Sequence, residues 1–177
     1  MGEDENKKRE RRHQEDLERL RGFRPIDDTF MRGLFKENTP LAELVLRIIT
    51  GKPDLVLLKC ETQADMKRVT GARSVCLDAY ATDSTGKKYD IEVQRSDNGA
   101  DPHRARYHSS MLDIEYRDNS DIGRLMHDFN CTNASDMYFD LLAEKTRYLK
   151  ENPKGVNEMC KVMEDLRNEG VKYPPDH

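Results

Sequence analysis

Two carboxylates, Asp78 and Glu92, stand on either side of a turn-rich stretch in RSVCLDAYATDSTGKKYDIEVQR, residues 73–95. The runs 75–81 and 89–94 alternate in character around DSTGKK, which is the pattern of a β-hairpin. Val75, Leu77, Ala79 and Ala81 share a face on the first strand, and Tyr89, Ile91 and Val93 share one on the second, so these faces belong against a core. The opposite face carries Asp78, Asp90, Glu92 and Gln94. Thirteen residues lie between Asp78 and Glu92, and a hairpin centred on Thr85 therefore sets the two directly opposite each other. Carboxylates with Cβ atoms about 5 Å apart repel, and a divalent cation relieves the repulsion by sharing their oxygens. Hard oxygen ligands suit magnesium or manganese better than zinc. A metal held this way polarises a phosphodiester and lowers the pKa of a bound water, as phosphodiester hydrolysis requires. The plainer reading is that acidic residues on the polar face of a half-exposed hairpin are solvated and hold nothing.

The elements that must position these groups are legible around them. Ile26, Phe30, Met31, Leu34 and Phe35 recur at helical spacing and predict a helix over 26–36. Thr39 and Pro40 read as an N-cap and first-turn proline for a second helix, whose stripe Leu41, Leu44, Val45, Ile48 and Ile49 ends at Gly51. LVLLKC, residues 55–60, predicts a short buried strand, and residues 61–71 a connection. Asp101 and Pro102 start a helix that runs to about residue 116 and opens on His103, Arg104, Arg106, Tyr107 and His108. From Ser120 the chain reads as successive helices, with stripes at Ile122, Leu125, Met126 and Phe129, then Met137, Tyr138, Leu141, Leu142, Tyr148 and Leu149, then Val156, Met159, Cys160, Met163 and Leu166.

Length and composition bound the whole. One modest domain with appendages fits 177 residues, and 36% hydrophobic against 36% charged residues predicts a small core. Residues 1–21 hold seven acidic and seven basic side chains, so 1–22 is expected to be a charged, disordered arm. The expected division continues with a core over 23–116, a helical extension over 117–170 and a loose tail over 171–177. No window is apolar enough for a membrane span and the N-terminus lacks a signal-peptide pattern, so the expectation is a cytoplasmic protein with no membrane partner. Cys60, Cys76, Cys131 and Cys160 form no CxxC pair, which argues against a structural zinc site and for reduced thiols. His127 and Cys131, four apart, share a helix face, but without a second pair nearby they read as packing rather than half a zinc site. Net charge is −4, yet residues 67–108 carry eight Lys or Arg against six Asp or Glu. Arg104, Arg106 and Tyr107 are therefore candidate DNA contacts, the alternative being a plain exposed basic helix face.

Asp78 followed by Glu92-Val93-Gln94, with a strand–turn–strand between, resembles the core motif of the PD-(D/E)XK nuclease superfamily. Within it, the chain is most similar to the recombination-promoting nucleases, a transposase-like family whose second strand reads Glu-x-Gln. DDTFMRGLFKENTPLAELVLRIITG, RARYHSSMLD and IGRLMHDFNCTNASDMYF extend the resemblance over most of residues 26–170. It implies an α/β, restriction-endonuclease-like core, a small mixed sheet with the hairpin 75–94 flanked by helices, followed by a C-terminal helical segment. It also implies metal-dependent DNA cleavage, with Asp78 and Glu92 as magnesium ligands, manganese being an alternative ion. Gln94 falls at the superfamily's lysine position, where a neutral amide orients a water but supplies no charge. Glu43 is the candidate auxiliary carboxylate, with a solvated helix glutamate as the alternative. Family members continue the sheet after the post-motif helix, whereas this chain passes from SSMLDIEY straight to RDNSDIGRLMHDFNC. Strands are therefore expected to be missing, and a join near Tyr116 fits an internally shortened nuclease or an inactive, degenerate DNA-binding or interaction remnant. An exposed sheet edge further predicts self-association or marginal stability.

Overall fold

A computed structural model of the protein describes residues 2–62, 79–91 and 119–168. In chain order these form α1 (Gly2–Gly22), α2 (Asp28–Phe35), α3 (Thr39–Thr50), β1 (Leu57–Thr62), β2 (Ala79–Asp83), β3 (Lys88–Ile91), α4 (Asp121–Asn130), a 3-10 turn (Ala134–Asp136), α5 (Asp140–Glu151) and α6 (Pro153–Asn168). The expected α/β class is met in its coarse form: among the described residues, six helices accompany one three-stranded antiparallel sheet of order β1-β2-β3.

Apolar spacing sets the helices, and the capping residues trim them. Phe30, Met31, Leu34 and Phe35 are all buried on α2, as a stripe at that spacing should be. The helix starts two residues later than expected, after Asp27, whose backbone is extended at φ −74° and ψ 126°, and the Ile26 N–H donates to the Phe129 carbonyl at 3.0 Å. The N-cap of α3 is Asn38 rather than Thr39: Asn38 Oδ1 accepts from the Leu41 N–H at 3.3 Å, and its Nδ2 donates to the Leu34 carbonyl at 3.1 Å. One side chain thus ends α2 and begins α3. The far end of α3 closes at Gly51 with φ of 66°, the left-handed conformation that glycine enters without strain.

The strand expected over 55–60 is shifted to Leu57–Thr62, with an irregularity between Leu57 and Lys59. Leu57 and Cys60 face the core, while Val56 and Leu58 are exposed at 47% and 68%. A clamp from α3 fixes this start. Arg47 Nε donates to the Leu55 carbonyl at 2.8 Å, and the Leu57 N–H donates to Glu43 Oε2 at 2.8 Å.

The segment expected as a disordered arm is instead helical as α1. Its early turns are exposed, but Leu20 and Asp16 are buried. Arg167 of α6 grips Asp16 with two nitrogens, at 2.5 and 2.8 Å. The charge balance of the segment permits a solvated helix with pairs such as Arg11–Glu15 at 3.6 Å. The buried leucine and the bidentate ion pair then help to dock its end.

A single buried cluster runs from Leu20 through α2, α3 and the sheet to Leu125, Phe129, Leu142, Leu149, Met159 and Met163. The segment read as a helical extension therefore supplies part of the same core. Helix α2 approaches α6 so closely at Gly33 that an added methyl there would overlap the Met159 sulfur. Lys150 donates to the carbonyls of Arg21 at 3.1 Å, Phe23 at 2.5 Å and Thr132 at 2.6 Å. This ammonium ties the α1–α2 connection to the loop after α4. Tyr138 and Leu141, read as part of an apolar stripe, are exposed at 60% and 43%. No helix among the described residues is long and apolar enough to cross a membrane.

Candidate functional site

The hairpin pairs Ala79 with Ile91, Tyr80 with Asp90, Ala81 with Tyr89 and Thr82 with Lys88. Each pair is symmetric about residue 85, the centre that the sequence predicts. Ala81 and Tyr89 are buried, while Lys88 is exposed and Thr82 half-buried, so the described strands show one core face and one open face. Asp78, Glu92 and Gln94 lie outside the described residues, as do Arg104, Arg106 and Tyr107.

Strand β1 adds to the open face what the sequence reading missed. Lys59 pairs with Thr82, which pairs in turn with Lys88, so a row of Lys59, Thr82 and Lys88 crosses the sheet, with Glu61 two residues along β1. Lys59 and Glu61 form an ion pair. The alternation of residues 57–62 carried this signal, but the break at Leu58 disguised it.

The turn is held by Asp83. Its Oδ1 accepts from the Thr85 N–H at 2.9 Å, the Thr85 hydroxyl at 2.6 Å and the Lys87 N–H at 2.9 Å, and its Oδ2 accepts from the Tyr89 hydroxyl at 3.0 Å. The Thr85 hydroxyl above all, with these other donors outweighing the cost of burial, holds the Asp83 carboxyl down from 3.8 to about 2. The same bond and burial raise the Tyr89 phenol.

Glu43 is not the solvated helix glutamate that its spacing suggests. One oxygen takes the Leu57 N–H and the other meets Arg47 Nη2 at 2.6 Å, with a side chain only 20% exposed. It braces the strand that starts the sheet.

A second cluster of chemically capable groups lies at the end of α4. This helix begins at Ser120, whose hydroxyl accepts from the Gly123 N–H at 3.2 Å, and its last turn carries His127, Asp128 and Cys131. His127 Nδ1 lies 3.2 Å from Asp128 Oδ1 and 3.5 Å from Cys131 Sγ. Asp128 is fully buried. Both its oxygens accept from the Tyr138 N–H, at 2.9 and 3.0 Å, and Oδ2 also accepts from the Phe139 N–H at 2.9 Å. Phe139 is the N-cap residue of α5 and has no capping side chain of its own, so Asp128 caps that helix from a neighbouring one. The Tyr138 ring leans on His127 with centroids 4.8 Å apart. Burial, followed by the charges of Asp128 and Asp136, pushes the Cys131 thiol up from its ordinary value. Sequence spacing paired His127 with Cys131 but passed over Asp128. Its position between the core residues Leu125 and Phe129 was the available signal, because a carboxylate placed there needs donors.

The chain matches no protein-family model, no curated protein and no solved structure.

Proposed function

We propose that the protein is a metal-dependent DNA endonuclease of the PD-(D/E)XK type, acting in the cytoplasm and similar to the recombination-promoting, transposase-like nucleases. The observation that supports this most is the hairpin register. The last described pair is Ala79 with Ile91, and in this reading the same register, if carried one residue further, would set Asp78 opposite Glu92, both outside the described residues. With Ala81 and Tyr89 buried and Thr82 and Lys88 on the other face, this reading puts the two carboxylates on the open face, where a DNA phosphate would have access. In this reading Asp78 and Glu92 hold magnesium or manganese, Gln94 orients the attacking water, and Arg104, Arg106 and Tyr107 contact the DNA backbone. The water oxygen bonds to phosphorus as the bond to the leaving oxygen breaks, and the metal offsets the charge that develops. Glu43, the candidate auxiliary carboxylate, braces the start of β1 through the Leu57 N–H and Arg47, and this reading assigns it no further part.

Supercoiled plasmid incubated with the purified chain should be nicked only when magnesium or manganese is present. Asp78→Ala and Glu92→Ala should each lower the rate by at least about a hundredfold, the scale on which loss of a positioned electrostatic group acts. Cleavage that persists in both variants would sink the assignment. A second reading, an inactive DNA-binding or interaction remnant, draws on the small sheet, three strands among the described residues. Salt-dependent DNA binding with no cleavage under either ion would favour it.

A further inference from the structure

We infer that His127, Asp128 and Cys131 form a binding site for one transition-metal ion of the zinc class, separate from the hairpin carboxylates. The three ligand atoms lie within 4.8 Å of one another. Zinc bonds of ordinary length at tetrahedral angles set nitrogen and oxygen ligands about 3.4 Å apart, and nitrogen and sulfur ligands about 3.6 Å apart. His127 Nδ1 stands 3.2 Å from Asp128 Oδ1 and 3.5 Å from Cys131 Sγ, so two of the three edges are already at coordination length. The third closes through rotation of Cys131, which is half-buried at the end of α4.

Two further features separate a metal site from a proton relay or a simple hydrogen bond. A Cys–His–Asp relay needs the thiol on one ring nitrogen and the carboxylate on the other. Here both approach Nδ1 most closely, with Nε2 farther from the sulfur at 3.9 Å. The sulfur stands beside the ring edge between the two nitrogens, and a turn of the Cys131 side chain would bring it round to the Nδ1 lone pair beside the carboxylate oxygen. The carboxylate is also prearranged. The Tyr138 and Phe139 N–H groups fix both its oxygens and leave Oδ1 with a lone pair on the His127 side. Backbone donors behind a ligating carboxylate orient metal ligands in just this way.

The donor set decides the ion. Nitrogen, oxygen and sulfur together suit zinc, cobalt or nickel and disfavour magnesium, which takes oxygen. Three protein ligands leave a fourth position for water or an added ligand. His127, with its side chain 47% exposed, gives the ion its route in.

Cobalt reports on such a site directly. The full chain, stripped with a chelator and titrated with cobalt at neutral pH, should bind one ion and develop a tetrahedral visible spectrum with a sulfur-to-cobalt charge-transfer band. Zinc should erase the band and magnesium should not. Cys131→Ser should abolish it, and His127→Gln should weaken cobalt binding by more than about tenfold. Both positions are solvent-accessible, and circular dichroism of each variant, expected to match the parent, checks that it folds. Cys60→Ser, Cys76→Ser and Cys160→Ser should each retain the band. No band in the wild-type chain, a band that survives Cys131→Ser, or unchanged affinity in His127→Gln would each overturn the site. Because none of these readouts involves DNA, the result stands apart from the outcome of the nicking assay.

Discussion

Asp128 shows how much one side chain can organise. A carboxylate with no exposed surface is costly unless its oxygens find donors, and this one meets the N–H groups of Tyr138 and Phe139 at the start of α5. Asp128→Ala removes the carboxylate and leaves those donors without their acceptor. It should lower unfolding stability by about 2–4 kcal/mol, read from urea denaturation. Asp128→Asn keeps one acceptor oxygen and should cost less. A loss below about 1 kcal/mol for the alanine variant would show that water caps α5 equally well. Cys60 is its opposite in character. Burial, aided by the Glu61 charge, pushes its thiol up to about 11, so at neutral pH it is a protonated core group with little nucleophilic character.

At the scale of elements, the β2–β3 hairpin carries a test that leaves the chemistry aside. Asp83 is the hub of its turn, and its carboxyl is lowered from 3.8 to about 2 in the folded chain. A depressed acid binds its proton less readily when folded, so its stabilising contribution is complete above the unfolded value and fades as pH falls from about 3.8 through about 2. Asp83→Asn keeps the acceptor oxygen but not the charge. Melting temperatures of the two proteins should therefore differ most above pH 4–5 and converge toward about pH 2. A constant gap across that range would show that the carboxylate charge is not what holds the turn. The hairpin was also the most legible element in the sequence. Alternation and a DSTGKK turn are local signals, and they located residue 85 as the centre that the pairing has. Helix α3 was nearly as clear, since Pro40 and Gly51 punctuate its ends; only the cap moved, to Asn38, whose second bond reaches back to Leu34. Glu43 was opaque for the opposite reason. Its partner Leu57 lies fourteen residues on, and no periodicity reports a carboxylate that turns from helix surface to strand backbone.

Across the whole molecule, the least legible contacts are those between segments far apart in the chain. Residues 1–22 look solvated because their composition is charged and balanced, yet Asp16 and Leu20 are buried, and Asp16 meets Arg167, a partner that no local window contains. Asp16→Ala should cost about 1–3 kcal/mol in a denaturation experiment, because it strips a two-pronged, largely buried partner from Arg167. The exposed control Glu5→Ala should stay within about 0.5 kcal/mol of the parent. Equal effects of the two would mean that α1 contributes nothing by docking. The same contact constrains how the protein is made. Asp16 and Arg167 are 151 residues apart, and a ribosome adding about 5–20 residues per second takes roughly 8–30 s to cover that span. Helix α1 leaves the exit tunnel early and finds no α6 to receive it. Throughout that interval Asp16 has no Arg167 to meet, and a helix of balanced charge with few apolar residues is suited to wait in solution.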